Sequence, residues 1–236
     1  MVKTAMIMAA GMGTRFGHYT DLIPKGFIPF KDKPMVIRSI ETLIECGIEK
    51  IVIGTGYKKE VYDELMNKYP QIVTCFSPRY AETNSMYTLY NTRELLDDDF
   101  ILLESDLVFE KKAITSLMEC ENPDVMLVSP VTKFQDQYYV ECNEDGILTN
   151  CSVNGSELDY CGELVGIHKL SSSFFKSMCE DYEGRVNEFP KLGYEYQLLH
   201  MSRNISPMYV LNIPGLQWYE IDDTDDLKYA EENIDL

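Results

Sequence analysis

Short apolar runs and amphipathic stretches take turns along the first half of the chain. Residues 4–9, 50–54, 72–76 and 100–104 are runs of five or six mainly apolar residues, the length of a buried strand. Between them, residues 35–46, 59–69 and 85–96 set apolar side chains at helical spacing. Strands alternating with amphipathic helices predict right-handed βαβ units and a parallel sheet. Sheets of that kind bind ligands beyond the carboxyl ends of their strands. Two such ends stand out: the loop after Ala9 and the residues after Leu103.

Near residue 125 the pattern changes. Residues 125–129, 137–142, 146–150 and 162–169 read as strands, with Asn-Glu-Asp-Gly at 143–146 as a hairpin turn. Helical spacing returns at 172–182 and 193–202. A strand near 208–211, the segment 218–222 and an acidic helix at 223–233 follow. No internal repeat and no long linker interrupts this order. The expectation is one α/β domain over residues 1–236, with later segments covering the first sheet.

Composition narrows the class. The 236 residues are 45% hydrophobic and 25% charged, as in soluble globular proteins. No apolar run approaches the roughly 18 residues of a membrane helix, and the N-terminal segment is too short and glycine-broken for a signal peptide. The net charge of −18 argues against nonspecific binding to nucleic acid or to anionic membrane. Residues 1–40 depart from that acidity, carrying Lys3, Arg15, Lys25, Lys31, Lys33 and Arg38 against Asp21 and Asp32. A basic island in an acidic chain suits a small anionic ligand. The seven cysteines form no CxxC pair and read as reduced thiols, so a cytoplasmic monomer or homodimer is expected.

The chemistry concentrates in a few short segments. After the first strand, Ala10, Gly11, Gly13, Thr14 and Arg15 form a glycine loop in which backbone N–H groups can approach an anion and Arg15 adds charge. Neither the dinucleotide fingerprint nor the Walker pattern fits it. Pro24-Lys25-Gly26 follows, and then Lys33-Pro34-Met35 opens a helix. Two acidic clusters, Glu104-Ser105-Asp106 and Glu220-Ile221-Asp222-Asp223, lie far apart in sequence and can together clamp one Mg²⁺. Asp223 and Asp225 suit the start of the last helix. Asn84 fits two roles, a helix N-cap and, with Ser85, a contact to a pyrimidine edge. No Ser/His/Asp or Cys/His arrangement is apparent, and the histidines lack metal spacing.

The combination AAGxGTRxG…PKxxxPxxxKPM resembles the nucleotidylyltransferase superfamily. ESDLVFE, YVE at 139–141, GELVGIHKLS, YEY at 194–196 and WYEIDD extend the resemblance across nearly the whole chain. They are similar to bacterial CTP-dependent cytidylyltransferases acting on choline phosphate or 2-aminoethylphosphonate. The resemblance implies a glycosyltransferase-A-like, Rossmann-like fold: a mixed, mainly parallel sheet flanked by helices, with a small β-containing acceptor lobe. It implies CTP binding in residues 1–120 and acceptor binding in 121–236. It also implies Lys25 and Arg15 at the reacting phosphates, the loop with Asn84, Ser85 and Ser105 on the nucleotide, and Mg²⁺ on Asp106 and Asp222, with Glu220 beside them.

Two departures bear on the acceptor. Where the phosphonate enzymes carry SGDEVYVE, residues 134–141 read FQDQYYVE, replacing a glutamate with Gln137 and adding Phe134 and Tyr138. Carboxylates suit a primary ammonium, whereas aromatic faces suit a trimethylammonium. The change therefore points to choline phosphate, giving CDP-choline. Tyr138, Tyr160, Tyr194, Tyr196 and Trp218 are candidates for the cage, and Asp136 or Glu195 for the balancing charge. The second departure is Ser152-Val153 in place of a Ser-Lys pair, which leaves Lys133 and Lys169 as candidate phosphoryl partners. 2-Aminoethylphosphonate stays open as acceptor. A sugar-1-phosphate nucleotidylyltransferase and an inactive nucleotide-binding module are the more distant alternatives.

Overall fold

A computed structural model describes residues 2–132 and 137–236. The strands are β1 (Thr4–Ala9), β2 (Pro29–Phe30), β3 (Lys33–Pro34), β4 (Lys50–Thr55), β5 (Ile72–Phe76), β6 (Phe100–Glu104), β7 (Leu107–Phe109), β8 (Val125–Ser129), β9 (Tyr139–Cys142), β10 (Leu148–Ser152), β11 (Gly162–Leu170), β12 (Tyr209–Asn212) and β13 (Trp218–Glu220). The helices are α1 (Met35–Glu45), α2 (Lys59–Asp63), α3 (Ser85–Asn91), α4 (Lys112–Glu119), α5 (Ser172–Glu183), α6 (Tyr194–Asn204) and α7 (Thr224–Asn233). Among the described residues no helix is long and apolar enough to cross a membrane.

The main sheet runs β10-β9-β11-β6-β1-β4-β5, with β8 on β11 and β12 on β8. Strands β6, β1, β4 and β5 are parallel, as the alternating pattern predicts. Strand β11 is antiparallel to β6, β8 and β9, which makes the sheet mixed. Period-two alternation sends each strand's side chains to opposite faces. In β1, Ala5 and Ile7 join one core with α1 and α4, while Met6 and Met8 join another with α3, α5 and α6. A third, smaller cluster around Phe16, Phe30, Tyr219 and Ala230 seats α7 on the β2–β3 corner.

Three of the boundaries that move do so for a local reason. The helix expected over 59–69 is α2 followed by a 3-10 turn, Glu64–Asn67, ahead of Pro70, which disfavours helix in the residue before it. The helix expected over 85–96 stops at Asn91, where the Thr92 hydroxyl donates back to the Leu89 carbonyl at 2.7 Å. The strand expected at 146 starts at Leu148, because Gly146 belongs to the turn with φ +73°. Strand β7 and helix α4 were not anticipated. A three-residue strand has too little pattern to detect, and its partner β13 lies over a hundred residues away.

Two pairings position the functional end of the molecule. The carboxyl ends of β1 and β6 lie side by side, and the Ser105 amide continues their ladder to the Met8 carbonyl at 3.1 Å. The β7–β13 ribbon then carries the second acidic segment to the first: Glu220 pairs with Leu107, and the Ile221 amide donates to the Asp106 carbonyl at 3.0 Å. Strand β11 follows β6 only as far as Ile167. It bends at Gly166, φ +78°, and continues along β9. Where β6 and β9 part, the sheet opens.

Gly166→Ala would force a side chain into that left-handed conformation. It is expected to lower folding stability by about 1–2 kcal/mol, read as a shift of the urea midpoint at unchanged slope.

Candidate active site

Two open cavities meet at this opening. One, of about 410 Å³, is walled by the glycine loop, Lys25, Asn84, Ser85 and Ser105. The other, of about 510 Å³, is walled by Leu107, Val153, Leu164, Val165 and Gly166. They share Arg15, Glu104, Tyr138, Glu195, Glu220 and Asp222. The residues expected on the nucleotide, Ala10, Gly11, Gly13, Thr14, Asn84, Ser85 and Ser105, thus all border one space. Asn84 fills the helix N-cap role, its side chain accepting from the Ser85 amide at 2.9 Å, and it also borders this cavity.

Lys25 occupies the centre. Its one-turn helix, Lys25–Phe27, packs against buried Tyr62, whose ring stands edge-on to Phe27 at 5.1 Å. A Cβ on Gly13, φ +61°, would stand 2.9 Å from the Lys25 Cβ, so glycine there lets the loop close over the lysine. The Lys25 Nζ lies 2.5 Å from Asp106 Oδ2 and 2.6 Å from Asp222 Oδ1. Arg15 reaches the same Asp222 oxygen at 2.8 Å, with about half its side chain exposed. Burial alone would push the lysine's pKa down. The carboxylates of Asp106, Asp222 and Glu220 more than reverse this, so the group rises above the usual lysine range and stays charged.

A second grouping shares Asp106. Carboxylate oxygens of Glu104, Asp106 and Glu220 lie within 4.8 Å of one another. Asp106 Oδ1 is buried with no hydrogen-bond partner. A set of hard carboxylate oxygens with one left unsatisfied fits a divalent cation such as Mg²⁺. Burial, and then the carboxylates of Glu220, Asp106 and Glu195, raise the Glu104 pKa well above the usual carboxylate range, while a hydrogen bond from Tyr194 pulls it back. Glu104 stands at a core-facing position, two residues after Leu102 on the same strand face. The sequence places Glu104 in the acidic cluster but assigns the metal to Asp106, Asp222 and Glu220, whereas the structure groups Glu104 with Asp106 and Glu220.

The aromatic cage is corrected. Trp218 is 1% exposed in the core, where its indole N–H donates to Ser129 Oγ at 2.7 Å; its pairing with Phe109 in the ribbon keeps it out of both cavities. Tyr160 packs on Tyr139 at 4.9 Å and Tyr196 stands edge-on to Tyr138 at 5.6 Å, and neither borders either cavity. Tyr194 is buried beneath Glu104. Tyr138 remains on the shared wall. Lys169 is turned away, its ammonium donating to the Cys120 carbonyl at 2.5 Å. Lys133, Phe134 and Asp136 lie outside the described residues. Tyr62, Tyr80, Thr83 and Thr88 line the first cavity without having been singled out by sequence.

Residues 5–174 match the model of the MobA-like NTP transferase domain. The chain belongs to this family. It is therefore a nucleotidyltransferase, and its mixed, helix-flanked sheet is the fold of that class. Over 97% of the chain and 96% of the relative, it is 27% identical to the choline-phosphate cytidylyltransferase of Streptococcus pneumoniae. It is 26% identical to CMP-5'-(3-aminopropyl)phosphonate synthase of Streptomyces rubellomurinus, matching 96% of this chain but only 38% of that protein. Among solved structures, the inositol-1-phosphate CTP transferase from T. maritima superposes with TM-score 0.83 at 16% identity, covering 100% of this chain and 98% of the other.

Glu195 is the remaining buried carboxylate of the shared wall. Its Oε2 has no hydrogen-bond partner, and burial raises its pKa to about 7. A folded-state pKa above the unfolded value means that the native state binds the extra proton. Stability is therefore expected to fall as pH rises from about 4.5 to 7, and Glu195→Gln should remove that portion of the slope. Thermal melts of both proteins at pH 5 and pH 8 test this: the variant's gain over wild type should be larger at pH 8.

Proposed function

We propose that the protein transfers CMP from CTP to a small acceptor carrying a phosphoryl group at one end and an ammonium at the other, releasing pyrophosphate. The observation that carries this reading is the junction of two cavities over Glu104, Glu195, Glu220 and Asp222, with Lys25 and Arg15 as the described cations beside them. The first cavity, framed largely by residues 1–120, would take CTP. The second, framed largely by residues 121–236, would take the acceptor. Seven free thiols suit work in the cytoplasm.

In this reading, an anionic phosphoryl oxygen of the acceptor attacks the α-phosphorus in line. The new O–P bond forms as the bond to the bridging oxygen breaks, and its electron pair leaves with pyrophosphate. A nucleophile already ionised at neutral pH needs no general base. The protein's work is to align two anions that repel each other and to neutralise their charge. Lys25, held charged by Asp106 and Asp222, would face the reacting phosphate, and Arg15, half-exposed and paired with Asp222, would meet an incoming anion at the cavity wall. Mg²⁺, when held by Asp106 with its neighbours Asp222, Glu104 and Glu220, would add charge neutralisation on the phosphates.

Of the acceptors considered, the described walls favour an ammonium that bears N–H groups, as in 2-aminoethylphosphonate. Glu195 presents a carboxylate there, while Tyr138 is the described aromatic residue of the shared wall. Three N–H donors can satisfy the orphaned Glu195 oxygen, and a trimethylammonium has none. Choline phosphate is the second reading, favoured by the near-full-length similarity to the Streptococcus pneumoniae enzyme. Pyrophosphate release with CTP and Mg²⁺ decides between them, with 2-aminoethylphosphonate, ethanolamine phosphate and choline phosphate offered in parallel. A higher kcat/KM for the N–H-bearing acceptors is expected. Preference for choline phosphate would overturn the carboxylate argument, and turnover of none would remove the acceptor class.

Lys25→Ala is expected to lower kcat by about 100-fold or more, as loss of a charge-stabilising donor does, with the acceptor KM changed far less. Steady-state kinetics of the variant check it. Near-normal turnover would take Lys25 out of the reaction.

A further inference from the structure

Behind Glu104 on the shared wall lie two polar side chains, Tyr194 and His168, that the reaction described above does not use. The Tyr194 hydroxyl donates to Glu104 Oε1 at 2.7 Å and lies 3.1 Å from His168 Nε2. Tyr194 and His168 sit inside the core between the sheet and helices α5 and α6, both 0% exposed, while Glu104 borders the two cavities in front of them. A phenol has one proton to give, so with that proton on Glu104 the histidine must donate its Nε2–H to the phenol oxygen. The other ring nitrogen, Nδ1, is then a buried acceptor, and it has no partner. An apolar pair of the same size would pack here without any unsatisfied atom. The arrangement leaves one polar atom stranded in order to present a hydrogen bond to a single oxygen of Glu104.

We infer that Tyr194, backed by His168, is a positioning residue that fixes the Glu104 carboxylate toward the Asp106–Glu220 oxygens, and so sets the affinity of this acidic site for a divalent cation. The inference rests on the reading that this cluster holds the cation. A carboxylate at the end of a strand can rotate about its side-chain bonds. Tyr194 is anchored at the start of α6, where its own amide donates to Ser85 Oγ at 3.0 Å, and its ring packs against His168 at 5.4 Å. A hydrogen bond from such a fixed phenol leaves one carboxylate oxygen committed and the other directed to the opening. Partners of this kind behind a metal ligand typically change affinity 10- to 100-fold when removed.

Mn²⁺ binding to the intact protein, followed by electron paramagnetic resonance without nucleotide, tests the inference directly. Tyr194→Phe keeps the ring in the core and removes only the hydroxyl; it is expected to weaken Mn²⁺ binding about tenfold or more and, because buried His168 Nε2 loses its partner, to lower the melting temperature, so binding is read well below the melt. His168→Phe should weaken it in the same direction by a smaller factor. Tyr182→Phe serves as the control, because the Tyr182 hydroxyl is also buried but has no hydrogen-bond partner and borders neither cavity; it should bind as wild type does. Wild-type affinity in both Tyr194→Phe and His168→Phe would overturn the positioning role while leaving the cation site standing. Absence of Mn²⁺ binding in the wild-type protein would overturn the cation site and the positioning role together.

Discussion

Five carboxylates converge on one end of this molecule, and the ammonium of Lys25 holds the arrangement together. Asp106 and Asp222 come from segments more than a hundred residues apart, and both grip that one nitrogen. Bringing buried carboxylates together costs free energy by mutual repulsion and by desolvation. The raised pKa values of Glu104 and Glu195 are the visible trace of that cost. The apolar packing of the sheet holds the excess in place, and a cationic ligand or metal is what would relieve it. A site strained in this way favours binding of what completes its charge.

The strain is local because the scaffold around it is regular. Two continuous cores, one on each face of the sheet, fix β1 and β6 side by side and leave only their carboxyl ends to chemistry. The short β7–β13 ribbon then does what no long element could. It returns the chain to the sheet's edge at the level of Asp106, so the last acidic segment faces the first. Between these, the bend of β11 at Gly166 opens the sheet where a second ligand can stand beside the first. One fold thus supplies two adjoining spaces and a shared charged wall, which is the geometry a two-substrate transfer needs.

Aromatic residues near the site divide by what surrounds them. Trp218 and Tyr194 carry polar atoms into the core, where Trp218 bonds to Ser129 and Tyr194 to Glu104. Tyr138 reaches the cavity wall, with Tyr196 edge-on behind it. An aromatic-rich sequence therefore does not by itself make a cation cage, because strand residues alternate between faces and only one face meets the ligand.

Much of the front half was legible from sequence, because its signals are local. Apolar runs with β-sheet length, helical spacing between them, and a glycine loop followed by Lys25 all depend on neighbours within about ten residues. The parallel strands, the loop beside Lys25 and the two acidic clusters appear where that pattern puts them. What the tertiary structure alone decided was pairing at a distance: β7 with β13, Tyr194 with Glu104, and Trp218 with Ser129. It also decided which face each aromatic side chain meets. Period and composition say that a residue is apolar or charged, but only the register of strands far apart in the chain says whether it points to core or cavity. The motifs of this protein are local in sequence, and the walls of its cavities are set by long-range register.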